Sequence, residues 1–140
     1  MNIGEPRFIN HEGKGFTFIG QVGIREIDEL AHINDALIDY TGGVKIGKNA
    51  HFGHQVMVLS TEHPIDIKGG EERMRTLVLK PVVIEDDAYI GSRAIVLAGS
   101  RIGKGAYIAA GAVVAGAEVG DGELWGGVPA KKIKSAWKER

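Results

Sequence analysis

The stretch IEDDAYIGSRAIVLAGSRIGKGAYIAAGAVV, residues 84–114, decides the fold. Ile84, Ile90, Val96, Ile102, Ile108 and Val114 are aliphatic at an unbroken step of six. Small residues fill the fifth place in five of the six hexads: Ala88, Ala94, Ser100, Ala106 and Ala112. The place after the large residue is Gly91, Gly103, Ala109 or Ala115 in four of the six hexads. An α-helix cannot hold this pattern on one face, because six steps of about 100° leave a side chain about 120° from its predecessor. A hairpin sheet fails too, since the segments are short and their two-residue turns lack Asn-Gly or Asp-Gly. The pattern fits a parallel β-helix in which three hexads form one coil of about 18 residues, and coils stack at the inter-strand spacing of about 4.8 Å.

The same hexads run upstream through Ile46-Gly47, Phe52-Gly53 and Val58, with Ala50 and Val56 at the small inward places. From Val58 to Ile84 the step is 26, not a multiple of six. Residues 64–81, bounded by Pro64 and Pro81 and containing Gly69-Gly70 and EERMR, therefore read as an excursion from the solenoid. A polar loop of that length in a compact fold is more often functional than not. The segment GIREIDELAHINDALIDYTGG, residues 23–43, reads either as a degenerate first coil or as a cap with a short helix over 25–31, since terminal repeats are commonly atypical. Downstream, Pro129 is suited to start a helix over about 129–140 on which Ile133 and Trp137 share a face.

Composition bounds the function. The 140 residues carry a formal net charge of −1, which gives no global pull toward nucleic acid or an anionic membrane. With no cysteine, thiol nucleophiles, zinc-thiolate sites and disulfides are excluded, and a reducing, cytoplasmic setting is the expectation. The opening MNIGEPRFINHEGKG has no apolar run of signal-peptide kind, and no stretch is apolar enough for a transmembrane helix. The 21 glycines against 4 prolines, with no collagen period, match a backbone that turns often. One domain over 1–140 is the expectation.

The run GGVKIGKNAHFGHQVMVLSTEHP, the excursion, KPVVIEDDAYIGS and the terminal GGVPAKKI together resemble the hexapeptide-repeat acyltransferases, specifically the maltose and galactoside type of sugar O-acetyltransferase. The likeness covers roughly residues 31–134 in unbroken order. It implies an all-β, left-handed parallel β-helix, although right-handed crossovers are the rule for parallel strands. It further implies a homotrimer with an active site in each cleft between subunits, acetyl-CoA as donor and a sugar hydroxyl as acceptor.

By that resemblance His63 is the catalytic base on the acceptor hydroxyl, a task imidazole suits because it accepts protons near neutral pH. Without cysteine, direct transfer is favoured over a covalent intermediate. Tyr89 stands where relatives often carry Trp and is expected either to line the cofactor cleft or to pack on a neighbouring subunit. Ser92 and Ala110 match positions that meet the pantetheine arm. Lys131, Lys132 and Lys134 are candidates for the phosphates of CoA or, equally, a solvated basic face. Relatives often have Thr-Lys after the last hexad where this chain has Ala115-Gly116. On the acceptor side His32 aligns with a family Asn, Asp39 or Tyr40 with a sugar-binding Asp, and Gln55 is expected to face the cleft.

Other readings stay open at this stage. An amino-sugar or nucleotide-linked amino-sugar nitrogen is an alternative acceptor. His51, His54 and His63 raise a metal enzyme like the γ-class carbonic anhydrases, although their spacings do not resemble that family's ligand pattern. A trimeric scaffold without catalysis is the third.

Overall fold

The computed structural model of the chain describes residues 8–10, 15–20 and 23–138. Short parallel strands stack into three walls. The first wall holds β2 (Thr17–Ile19), β4 (Leu37–Asp39), β7 (Met57–Leu59), β12 (Ile95–Val96) and β15 (Val113–Val114). The second holds β3 (Arg25–Ile27), β5 (Val44–Ile46), β10 (Val82–Ile84), β13 (Arg101–Ile102) and β16 (Glu118–Val119). The third holds β6 (His51–Phe52), β11 (Tyr89–Ile90), β14 (Tyr107–Ile108) and β17 (Glu123–Gly126).

The hexad pattern maps directly onto this solenoid. Large inward residues form one column per wall: Ile38, Val58, Val96 and Val114; Ile46, Ile84, Ile102 and Val119; Phe52, Ile90 and Ile108. These side chains are buried in one continuous core. The small inward residues sit just after left-handed corner positions such as Asp87, Gly99, Gly105 and Gly111, which turn the chain in two residues. Two corners bury a serine instead of alanine. Ser60 donates to the Asp39 carbonyl at 2.6 Å and accepts from Gly42 N–H, while Ser100 donates to the Val114 carbonyl and accepts from Gly116 N–H. Each hydroxyl thus satisfies two backbone groups and links adjacent coils.

Coil-to-coil spacing also explains why a small residue follows the large one in four of the six hexads. A Cβ on Gly91 would lie 2.4 Å from Ala110 N in the next coil. Gly91→Ala should therefore force two coils apart and lower unfolding stability by about 1–3 kcal/mol, read as a fall in the urea midpoint. An unchanged midpoint would show that the coils slide at no cost.

One alternative left open by the sequence is decided, and two departures from the expected layout have physical causes. The 23–43 segment folds as a degenerate coil rather than a capping helix: Arg25–Ile27 pairs in parallel with Val44–Ile46, so strand pairing supplies backbone partners that one isolated turn of helix lacks. The excursion begins three residues earlier than Pro64. Ile46 pairs with Ile84, 38 positions ahead, where a full coil spans 18, so the surplus is 20 residues. Lys80 N–H closes the ring on the Ser60 carbonyl at 2.9 Å, placing the surplus at 61–80. Its root is the antiparallel ribbon of β8 (Thr61–Glu62) and β9 (Val78–Leu79), with the short helix α1 (Gly70–Arg75) at its far side.

The second departure is at the C-terminal end, where the helix expected over about 129–140 is a strand, β18 (Lys131–Ser135), antiparallel to β17; residues 139–140 lie outside the described residues. The open edge of β17 offers unpaired backbone groups, and pairing with them outweighs a helix too short to stand alone. Glu123 fastens the hairpin: Lys132 Nζ lies 2.7 Å from its carboxylate and Gly120 N–H donates at 2.6 Å, which together hold the carboxyl below its ordinary range. Trp137, expected on a helix face, lies over the Gly105 and Gly122 corners and donates its indole N–H to the Gly105 carbonyl at 3.1 Å. At the opposite end β1 (Phe8–Asn10) pairs antiparallel with β2, so an antiparallel strand closes the stack at each end.

Candidate functional site

His63 directly follows β8, near the start of the excursion. Its Nδ1 is 2.9 Å from the Arg73 carbonyl and 2.8 Å from the Thr76 carbonyl. Carbonyl oxygens only accept, so Nδ1 carries the proton and donates to both. In the neutral ring the lone pair then resides on Nε2. Arg73 lies in the last turn of α1 and Thr76 caps its C-terminal end, where the Arg73 carbonyl also accepts from Thr76 N–H at 3.1 Å. The C-terminal end of the helix and its cap thus orient the imidazole. Arg73 keeps the loop folded by donating to the Ile67 carbonyl.

The other predicted residues sit at two corners. At the corner between the first and second walls, Asp39 accepts from Thr41 N–H at 2.9 Å and from the Thr61 hydroxyl at 3.4 Å, beside the root of the excursion. Tyr40 is spent on the framework. Its hydroxyl donates to the Gly20 carbonyl at 3.2 Å, its ring meets Phe18 edge-on, and the Arg25 guanidinium lies over both rings. Of the two alternatives, Asp39 is therefore the one at the excursion.

Gln55, Ser92 and Ala110 sit together at a different corner, between the third and first walls, with His54, Arg93 and Gly111. They line an open cleft of about 580 Å³. Ser92 has a framework task, since its hydroxyl accepts from His54 N–H at 3.1 Å. Ala110 is exposed, its N–H meets no protein acceptor among the described residues, and a Cβ at Gly111 would meet nothing within 4 Å. A smooth groove with a free backbone donor fits an extended, amide-bearing chain such as a pantetheine arm. Lys131 pairs with Gly126 at the C-terminal end of this row, while Lys134 lies exposed further along β18 and Lys132 is engaged by Glu123. Within one chain the first wall separates this corner from the one that bears His63.

His32 and Tyr89 belong to a column on the outer face of the third wall. The rings of His32, His51, Tyr89 and Tyr107 follow one another at centroid separations of 5.2, 6.1 and 4.7 Å. Tyr107 escaped the sequence reading, and His51 entered it only as one of the three histidines of the metal alternative. Tyr107 was within reach, since it lies one 18-residue coil after Tyr89; His51 pairs with Tyr89 across the 20-residue surplus, and that register needs the excursion's true length. Arg93, too, was missed, although it follows Ser92 directly. The three histidines of the metal alternative are dispersed: His51 on the third wall, His54 at the next corner paired with Asp35 at 3.5 Å, and His63 on the excursion. Among the described residues no three His, Asp or Glu side chains are grouped to hold a metal ion. No helix among the described residues is long and apolar enough to cross a membrane.

Residues 81–116 match the family model for the bacterial transferase hexapeptide, six repeats. Over 90 residues the chain is 40% identical to the 2,3,4,5-tetrahydropyridine-2,6-dicarboxylate N-acetyltransferase of Staphylococcus aureus strain JH9, an alignment covering 64% of this chain and 32% of that protein. The chain thus spans about a third of the length of the curated relatives it matches. Among solved structures, the hexapeptide-repeat-containing acetyltransferase VCA0836 of Vibrio cholerae O1 biovar eltor, complexed with acetyl coenzyme A, superposes with a TM-score of 0.73 at 27% identity, covering 80% of this chain and 60% of that one. A maltose O-acetyltransferase from Clostridium difficile 630 superposes at 0.67 with 24% identity over 86% of this chain and 71% of that one, a likeness of fold. The expected hexapeptide-repeat solenoid is therefore the architecture of the chain and of these proteins alike.

Proposed function

We propose that this hexapeptide-repeat chain is an acetyl-CoA-dependent acetyltransferase, that its acceptor is a hydroxyl of a sugar or sugar-containing molecule, and that His63 is its general base. The observation that carries this reading is the double acceptance of the Nδ1 proton by Arg73 and Thr76, which leaves Nε2 as a base without need of a carboxylate partner. Acetyl-CoA, when bound, supplies a thioester open to attack. Nε2 of His63 takes the proton of the acceptor hydroxyl as its oxygen attacks the acetyl carbon, and the imidazolium returns that proton to the departing thiol. The ring keeps its orientation throughout, because both carbonyls still accept from Nδ1 when the ring is charged.

Two corners of one chain hold the two halves of the site, His63 with Asp39 at one and the Gln55, Ser92 and Ala110 groove at the other. A homotrimer, with three such chains side by side, would bring the His63 corner of one copy against the groove of the next. Tyr89 and His32 then face the acceptor, and Lys131 and Lys134 lie toward the phosphates of CoA. We assign the working compartment to the cytoplasm.

A second reading, N-acetylation of an amine-bearing acceptor such as an amino sugar, is favoured by the 40% identity to an N-acetyltransferase. The same base serves it. Thiol release from acetyl-CoA, read with a disulfide reagent across hydroxyl and amino acceptors, separates the two, and the chain has no cysteine to add background. Release with neutral sugars is the expected result. Release only with amines moves the acceptor to nitrogen, and no release with any acceptor overturns the acetyltransferase reading. Light scattering should give three times the 15.0 kDa of one chain; an active monomer would remove the shared-site model.

A further inference from the structure

Five non-glycine residues among those described have left-handed backbones: Asn34, Asn49, Gln55, Asp87 and Arg93. Asparagine and aspartate tolerate this region because their short polar side chains bond locally. Gln55 and Arg93 have no such licence, with φ of 58° and 59°. The same corner in the next coil is Gly111 at φ 72°, the residue a solenoid turn favours. Two long side chains thus occupy adjacent coils in a conformation that works against them, and backbone strain of this kind collects at functional sites.

Their side chains are joined. Arg93 Nε donates to Gln55 Oε1 at 3.0 Å over the cleft they both line. That bond fixes the plane of the guanidinium and leaves its two terminal nitrogens as a free fork. Among the described residues no carboxylate lies within ion-pair distance of Arg93. The acid at this corner, Asp35, is engaged elsewhere: it accepts from Gln55 N–H at 2.9 Å and pairs with His54, and the first of these chiefly holds its carboxyl below the ordinary range. A fixed, unneutralised guanidinium in a cleft matches the geometry of a planar pair of oxygens.

We propose that Arg93, held by Gln55, is an oxyanion-recognition residue that takes a carboxylate or phosphate group of the ligand in this cleft. The inference rests on the reading of the cleft as the donor and acceptor site, and it adds that one of the two ligands presents an anion there. That anion is either a phosphate of the donor or an acidic group of the acceptor.

The test uses the full chain with Arg93→Gly and Arg93→Lys. Glycine relieves the left-handed strain, so Arg93→Gly should melt at or above the wild-type temperature while binding of inorganic pyrophosphate or citrate, measured by calorimetry, falls at least tenfold. Lysine keeps the charge but loses the fork and the bond to Gln55, and should recover only part of that affinity. If weakening is seen for CoA but not for pantetheine, the anion is a donor phosphate. A rise in KM confined to carboxylate- or phosphate-bearing acceptors places it on the acceptor. Wild type that binds neither probe anion, or Arg93→Gly that binds them as wild type does, overturns the inference. Failure of the acetyltransferase reading looks different: wild type would release no thiol with any acceptor, while probe binding would still depend on Arg93.

Discussion

His63→Ala is expected to lower acetyl-transfer turnover by about 10²–10⁴-fold, the usual contribution of a general base, with CoA affinity close to wild type. The side chain is half-buried on the excursion and contributes nothing to the three inward columns, so the melting temperature should hold. His63→Asn is the discriminating companion. An amide nitrogen in place of Nδ1 can still donate to the Arg73 and Thr76 carbonyls, yet asparagine has no basic nitrogen where Nε2 stood. If the imidazole works as a base, Asn should be as inactive as Ala. Should Asn retain most of the wild-type rate, the residue only props up the excursion, and the base lies elsewhere.

Deleting residues 67–78 should cost turnover on the same scale of about 10²-fold or more, although it leaves His63 in the chain. The deletion removes Arg73 and Thr76, whose carbonyls orient the ring, so the imidazole is free to rotate and to exchange tautomers. Stability should change far less. The coil closes beneath the excursion through Lys80 N–H on the Ser60 carbonyl, and α1 buries none of its residues. Circular dichroism and sedimentation should therefore report an intact solenoid with defective kinetics. Full activity in the deletion variant would show that the ring needs no help from the loop. Loss of the fold would mean instead that the excursion stabilises the coil it interrupts.

The comparison of these two variants matters because their signals differ in legibility. His63 was visible in the linear chain through the STEHP context and the break in the hexads. The orientation of its ring was not, since that depends on carbonyls 10 and 13 residues away that reach it only when the excursion folds back. Asp39 and Tyr40 could not be ranked from spacing. The choice rests on which side chain the framework consumes: Tyr40 is engaged with Gly20 and Phe18, whereas Asp39 lies against Thr61. The terminal helix failed for a related reason. Pro129 and the Ile133–Trp137 spacing are local signals, and the open edge of β17 is a tertiary one that outweighed them.

By itself, the sequence determined the solenoid, its coil length and the identity of the inward residues. A hexad repeat imposes one geometry on every coil, and side chains that recur in register can be buried only by stacking. Tertiary structure alone decided which corner each polar residue reaches, how the 20-residue excursion returns to orient His63, and that Arg93 leans on Gln55. Those contacts join residues 10 to 38 positions apart, outside the repeat or across its interruption. Periodicity specifies a residue's place within its own coil; it carries no information about which side chains a broken period brings together.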